Sequence, residues 1–293
     1  MTIQNEEYDD SLRFGLYQPT RIIFGDGCVD ELGRECQRLG LERVLVVTDR
    51  VLRDKTDVVA RVERALGNRL GALYDGVTPN GGVRVIDDGA AIGREHGCDG
   101  VVAVGGGSVI DSGKGIALIL AESGSIREHR EAREVGRAPR RQTPHIAIPT
   151  TAGTGSEVSR KLSLRDQGQD NGRLYLADDR LLPDLALLDP SVTLAKPPQL
   201  TAASGFDALT HAIEAFTSRR CNPIADGLAL QAMRLITELR AALGTDLDIT
   251  AVFLSPSPRQ LATVLRDEHG FDDQDLGPDV AEGLDRYLQG DPT

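Results

Sequence analysis

The sequence predicts an α/β region built on a buried parallel sheet, followed by a shorter all-helical region. Three observations carry this expectation: β-branched apolar runs without polar alternation, helical sequence between those runs, and helical spacing alone after Pro190. A strand covered on both faces reads as a continuous apolar run. Strands of that kind alternating with helices build a parallel sheet with helices on both sides.

The first clear strand is Arg43-Val44-Leu45-Val46-Val47-Thr48-Asp49, which helix-like sequence follows. A helix is predicted over 83–95, a buried strand over 100–104, a second helix over 108–120 and another strand over 145–149. Between 121 and 143 an arginine-rich stretch has no apolar period and is read as a surface excursion. Beyond Pro190, apolar residues recur at helical spacing over 201–218 and 226–243, and a short strand is considered only over 249–254. The 293 residues exceed a comfortable single core, so two domains are expected, 1–190 and 191–293. No internal repeat or low-complexity tract is visible.

Composition excludes several function classes. Lys and Arg number 33 against 45 Asp and Glu, a net charge of −12. Such a surface repels phosphate backbones and anionic headgroups, so neither nucleic acid nor a membrane is an expected partner. Aromatic residues make up 4% with no Trp, which disfavours base-stacking platforms. No apolar run approaches the roughly 18 residues of a membrane span, and Met1-Thr2-Ile3-Gln4-Asn5-Glu6-Glu7 lacks signal-peptide character, so a cytoplasmic location is expected. Cys28, Cys36, Cys98 and Cys221 form no CxxC pair and are expected to be buried free thiols.

Four segments carry candidate chemistry. Gly105-Gly106-Gly107-Ser108-Val109-Ile110-Asp111-Ser112-Gly113-Lys114 follows a strand and opens a helix. Glycines let the backbone approach a pyrophosphate, and the free amides and positive end of the helix attract it. On this reading a side chain at Gly107 fills the space that the pyrophosphate needs. The alternative is a plain capping box, with Ser108 as N-cap and Asp111 at the third helical position. Asp49, at the carboxyl end of its strand, either accepts hydrogen bonds from both ribose hydroxyls, repelling a 2′-phosphate, or caps the following helix. Pro149-Thr150-Thr151-Ala152-Gly153-Thr154-Gly155-Ser156-Glu157 offers hydroxyl donors beside small residues, or is an ordinary loop. Asp207 and His211 stand one helical turn apart, able to grip one divalent ion, or form a surface pair.

In this order the four segments resemble the iron-containing (group III) alcohol dehydrogenase family. The matching stretches are 43–49, 105–114, 149–159, Leu187-Leu188-Asp189-Pro190, and Asp207-Ala208-Leu209-Thr210-His211-Ala212-Ile213-Glu214-Ala215-Phe216, and the likeness covers most of 10–240. The glycine turn is shared with the related glycerol dehydrogenase and dehydroquinate synthase groups. The resemblance implies a dehydroquinate synthase-like α/β domain binding NAD(P), with NAD favoured, a helical domain, and Fe²⁺ or Zn²⁺ in a metal site. It assigns cofactor contacts to Asp49, Gly106, Gly107, Ser108, Thr150, Thr151 and Arg173, and the first two metal ligands to Asp207 and His211. The implied reaction interconverts a small alcohol and its aldehyde or ketone by hydride transfer at a metal-polarised oxygen. Members commonly self-associate, which implies a homo-oligomer.

The family's two further histidines, in HxxxH-like and PHG-like settings, are absent. His269, the only histidine after His211, lies among acidic residues and is read as surface. The helical domain thus reads as if a block were missing. Two other readings follow: a catalytically weak or silent nucleotide-binding remnant, and a metal-independent reductase of the same superfamily.

Overall fold

The computed structural model describes residues 14–130, 143–166, 172–218 and 222–242. In chain order the elements are β1 (Arg21–Phe24), α1 (Leu32–Arg38), β2 (Val44–Val47), α2 (Arg50–Lys55), α3 (Val58–Leu66), β3 (Leu70–Tyr74), α4 (Val83–Glu95), β4 (Gly100–Gly105) and α5 (Gly107–Glu122). They continue with β5 (His145–Pro149), β6 (Lys161–Arg165), β7 (Arg173–Ala177), β8 (Leu185–Leu188), α6 (Pro198–Phe216) and α7 (Pro223–Ala242). The chain divides into two compact units, the first formed by Pro19–Ser204 and the second including the described residues from Gly205 onward.

The first unit is a six-stranded sheet in the order β1-β8-β5-β4-β2-β3. Every pairing in it is parallel. Successive side chains of the inner strands β2 and β4 enter opposite cores. Leu45, Val47, Val101 and Ala103 pack with Ile86 and Ala90 of α4 and Ile116 and Ile119 of α5. Val44, Val46, Val102, Val104, Ile146 and Ile148 pack with Leu32 and Cys36 of α1 and Val58, Val59, Val62 and Leu66 of α3. Burial on both faces explains why β2, β4 and β5 read as unbroken apolar runs.

The antiparallel hairpin β6–β7 lies apart from the main sheet. Its alternate residues Leu162, Leu164, Leu174 and Leu176 enter the core beneath α4 and α5, which leaves Ser163, Arg165, Arg173 and Tyr175 on its other face. Helix α5 packs closely on β4, because a Cβ on Gly113 would stand 2.6 Å from that of Ala103. The predicted surface excursion after α5 is partly docked instead. Ile126 is buried, and its amide and the Ser125 hydroxyl both bond the Asp87 carboxylate of α4.

Strands β1, β3, β6, β7 and β8 add to the three that the sequence picked out. The short strand considered over 249–254, His269 and Cys221 lie outside the described residues. Cys28 and Cys36 are buried free thiols, whereas Cys98 is only half-buried. In the second unit, α7 continues the helical character from Pro223. Among the described residues no helix is long and apolar enough to cross a membrane.

Candidate functional site

The sheet order creates a crevice. From β2 the chain moves to β3 on one side, whereas β4 and then β5 lie on the other. The connections after β2 and β4 therefore diverge above neighbouring strands, which is where open α/β sheets bind ligands. Asp49 follows β2, the glycine turn follows β4, and Thr150 and Thr151 follow β5. Two bonds align these three strand ends: Thr48 Oγ1 donates to the Val104 carbonyl at 3.0 Å, and the Thr150 amide to that of Gly105 at 3.0 Å.

The turn itself leaves little freedom of sequence. Gly105 has φ +157°, and a Cβ there would come within 2.6 Å of the Val109 side chain. At Gly107 a Cβ would lie 2.7 Å from both Cγ2 and Oγ1 of Thr154, so protein already fills the space that a side chain at this position was expected to take from a pyrophosphate. Gly106 differs: a Cβ would meet only the Thr151 side chain, at 3.5 Å. The open side of the turn is thus bordered by Gly106 and Thr151. Helix α5 then presents the amides of Gly107 and Ser108, its first two residues, with no carbonyl of the same helix behind them.

The capping box weighed as the alternative does not form. Helix α5 starts one residue earlier than expected, with Gly106 as an N-cap that has no side chain to offer. The Ser108 hydroxyl instead accepts the Asn80 amide at 3.0 Å, and Asp111 turns to Lys114 and to the Ser163 amide. Asn80 belongs to Thr78-Pro79-Asn80-Gly81, a turn closed by a Gly81 amide to Thr78 carbonyl bond of 2.8 Å. It sits at φ 62°, a left-handed conformation that asparagine tolerates better than most residues. Its Pro-Asn-Gly sequence was the signal available for this contact.

Asp49 caps α2, its Oδ1 accepting the Leu52 amide at 2.9 Å. Capping takes up one carboxylate oxygen of this half-buried side chain; the other is not part of the cap. Thr150 is buried, Thr151 half-buried. Thr154 Oγ1 donates to Ser156 Oγ at 3.2 Å and accepts the Ser156 amide at 3.3 Å, which closes the loop below them. Arg173, exposed at the start of β7, donates from Nη1 to Ser163 Oγ at 3.1 Å.

Lys114 escaped the sequence reading. Its side chain is fully buried, with Nζ donating to Asp111 Oδ1 at 3.0 Å and to the Lys161 carbonyl at 2.8 Å. Burial pulls its pKa down, and the Asp111 carboxylate offsets part of that. Burial also pushes the nearby Glu157 carboxyl up, against a downward pull from Lys114. His145, at the start of β5, is held to about 3, first by burial and then by the Lys114 charge.

Asp207 and His211 belong to the second unit, both on α6. The imidazole Nε2 lies 3.8 Å from Asp207 Oδ1, with the two side chains 50% and 42% exposed. Among the described residues no third His, Cys, Asp or Glu joins them in a group that could hold a metal ion. Two donors leave most of a coordination shell to water, so the described residues do not by themselves fit a metal centre.

Residues 19–190 match the iron-containing alcohol dehydrogenase family, and residues 201–251 its C-terminal domain. The chain is similar to the 1,3-propanediol dehydrogenase of Klebsiella pneumoniae, 37% identical over 80% of this chain and 61% of that protein. It is also similar to the NAD-dependent methanol dehydrogenase of Bacillus methanolicus, 34% identical over 80% and 61%. Among solved structures, a sulfoacetaldehyde reductase from Bifidobacterium kashiwanohense in complex with NAD+ superposes with a TM-score of 0.71 and 34% identity, over 77% of this chain and 59% of that one. The chain spans about three-fifths of the length of these relatives. With the family match extending over most of the first unit, the chain belongs to the iron-containing alcohol dehydrogenase family.

Proposed function

We propose that this chain is an NAD-dependent oxidoreductase interconverting a small alcohol and its aldehyde or ketone. One observation carries the reading: a glycine turn opens onto the amides of α5 at the switch point between β2 and β4. The turn fits a dinucleotide, since Gly106 keeps its crevice side free of side chain and the start of α5 concentrates positive potential there. Bound NAD supplies the hydride acceptor.

The chain's own residues orient that cofactor. Amides of Gly107 and Ser108 bind the pyrophosphate, with Gly106 and Thr151 bordering it and Thr150 supporting the strand end. The Asp49 oxygen outside the α2 cap binds ribose hydroxyls and repels a 2′-phosphate, which favours NAD over NADP. Arg173 supplies a cation from the hairpin. Residues 1–190 serve cofactor binding, and 191–293 serve the substrate and a metal. The relatives named as NAD-dependent or bound to NAD+ support this assignment of cofactor.

A second reading has its own observation. Asp207 and His211 lie together on α6, and among the described residues no group of three or more metal donors forms. A nucleotide-binding chain with weak or silent catalysis fits that pair as well as an active dehydrogenase does. Fluorescence titration of the purified 293-residue chain with NADH, NAD-linked oxidation of small alcohols and a metal assay separate the two. NADH binding with turnover supports the enzyme, binding without turnover supports the second reading, and absence of binding overturns both.

A further inference from the structure

We propose that Lys114 and Asp111 form a buried latch that positions the β6–β7 hairpin, and through Ser163 the guanidinium of Arg173, beside the glycine turn. The proposal rests on the nucleotide reading above. A two-stranded hairpin is marginal alone, and its outer edge exposes unpaired backbone groups. In β6 the outward positions are 161, 163 and 165, because the Arg160 carbonyl and the Asp166 amide already bond the β7 side, at Asp178 and Gly172.

Each outward position is met by a group from the cofactor side. Lys114 Nζ donates to the Lys161 carbonyl at 2.8 Å, and Asp111 Oδ2 accepts the Ser163 amide at 3.1 Å. The Asn80 carbonyl accepts the Arg165 amide at 3.1 Å. The ion pair between Lys114 and Asp111, 3.0 Å long, joins the first two contacts into one unit. Side chains of α5 thus take the place of a third strand.

The latch begins where the turn ends. Asp111 is one helical turn beyond Gly107, and Asn80 bonds both Ser108 Oγ and Arg165. Ser163 is the relay: Asp111 holds its amide while its hydroxyl accepts Arg173 Nη1 at 3.1 Å. Lys114 is fully buried with its amine committed to protein partners, so it acts through the hairpin and not by touching the nucleotide. Lys114 and Asp111 are positioning residues. The four leucines of the hairpin keep it folded without them; its placement is what they supply.

A double-mutant cycle on the full chain, read by NADH fluorescence titration, tests this. Arg173→Ala is expected to weaken NADH binding roughly fivefold, the scale of one hydrogen bond from an exposed side chain. Lys114→Met is expected to weaken it about threefold alone and to add little in the Arg173→Ala background, as coupled sites do. Faster hydrogen exchange at the Ser163 amide should accompany Lys114→Met. If Lys114→Met does not fold, Ser163→Ala replaces it, with the same expected coupling to Arg173→Ala. Effects that multiply in the double variant, or unchanged affinity in Lys114→Met or Ser163→Ala, overturn the latch while leaving the nucleotide site standing. A wild-type chain that does not bind NADH overturns the underlying reading instead.

Discussion

Two neighbouring glycines of the turn should respond in opposite ways, because one faces protein and the other faces the crevice. At Gly107 a Cβ would collide with Thr154 at 2.7 Å, and turning that side chain away would break its bonds to Ser156 at 3.2 and 3.3 Å. Overpacking costs about 1–3 kcal/mol, and each lost hydrogen bond costs roughly 1 kcal/mol more. Better helix propensity returns somewhat under 1 kcal/mol. Gly107→Ala is therefore expected to lose about 2–4 kcal/mol of stability. Gly106 lies at φ −75° and ψ −176°, an extended conformation that valine adopts readily, and its Cβ would make only an ordinary contact with Thr151 at 3.5 Å. Gly106→Val should unfold in urea within about 1 kcal/mol of wild type, the difference reflecting the N-cap. Its branched side chain projects between Gly106 and Thr151, so NADH affinity should fall at least about tenfold, or 1.4 kcal/mol. Urea titration gives the first quantity and fluorescence titration the second. If Gly106→Val binds NADH within twofold of wild type, the pyrophosphate does not lie against Gly106 and the proposed placement is wrong.

Further outcomes follow from individual residues. The His145 pKa is lowered from 6.5 to about 3, so between those values the unfolded chain binds a proton that the folded chain does not. Stability should fall with decreasing pH across that window, by about 2 kcal/mol between pH 7 and pH 5. His145→Leu should remove this share, and an unaltered difference in urea midpoint between the two pH values would count against it. Asp49→Ala should narrow the preference for NADH over NADPH and cost about 1 kcal/mol through loss of the α2 cap; a wild-type chain preferring NADPH contradicts the role given to Asp49. Chelator dialysis should strip metal and leave NADH affinity unchanged, as expected where the described donors are Asp207 and His211; equal loss of metal and cofactor binding would refute the separation of the two.

What the sequence revealed follows burial. Strands β2, β4 and β5 are rich in valine, isoleucine and alanine and covered on both faces, so they stand out without any contact information. Strand β8, Leu-Ala-Leu-Leu, is buried at its first three residues but has no β-branched residue, and such a run fits a helix as well as a strand. Strand β3 is half-buried along most of its length and β1 is an edge with Ile22 and Phe24 exposed, so neither gives a clean pattern. The hairpin was legible in principle: Leu162, Leu164, Leu174 and Leu176 alternate with polar or exposed residues, the period of a half-buried strand.

The site divides along a related line. Glycine spacing after a strand reports a backbone requirement, and backbone requirements are local, so the turn and the start of α5 could be located to within one residue. Side-chain partners are not local. For Ser108 the sequence offered a cofactor or its own helix as partner, whereas its hydroxyl accepts the amide of Asn80 from the preceding β3–α4 connection. Lys114, set between Gly113 and Gly115, reads in sequence as one exposed charge on a helix, yet each glycine marks a close contact of α5, with Ala103 of β4 and with Ile86 of α4. A lysine between two such contacts cannot extend to water and must find its partners inside, which Asp111 and the Lys161 carbonyl provide. Small residues flanking a charge on a helix next to a glycine turn are therefore themselves a signal: they mark a charge committed to holding a neighbouring element, here the hairpin that carries Arg173.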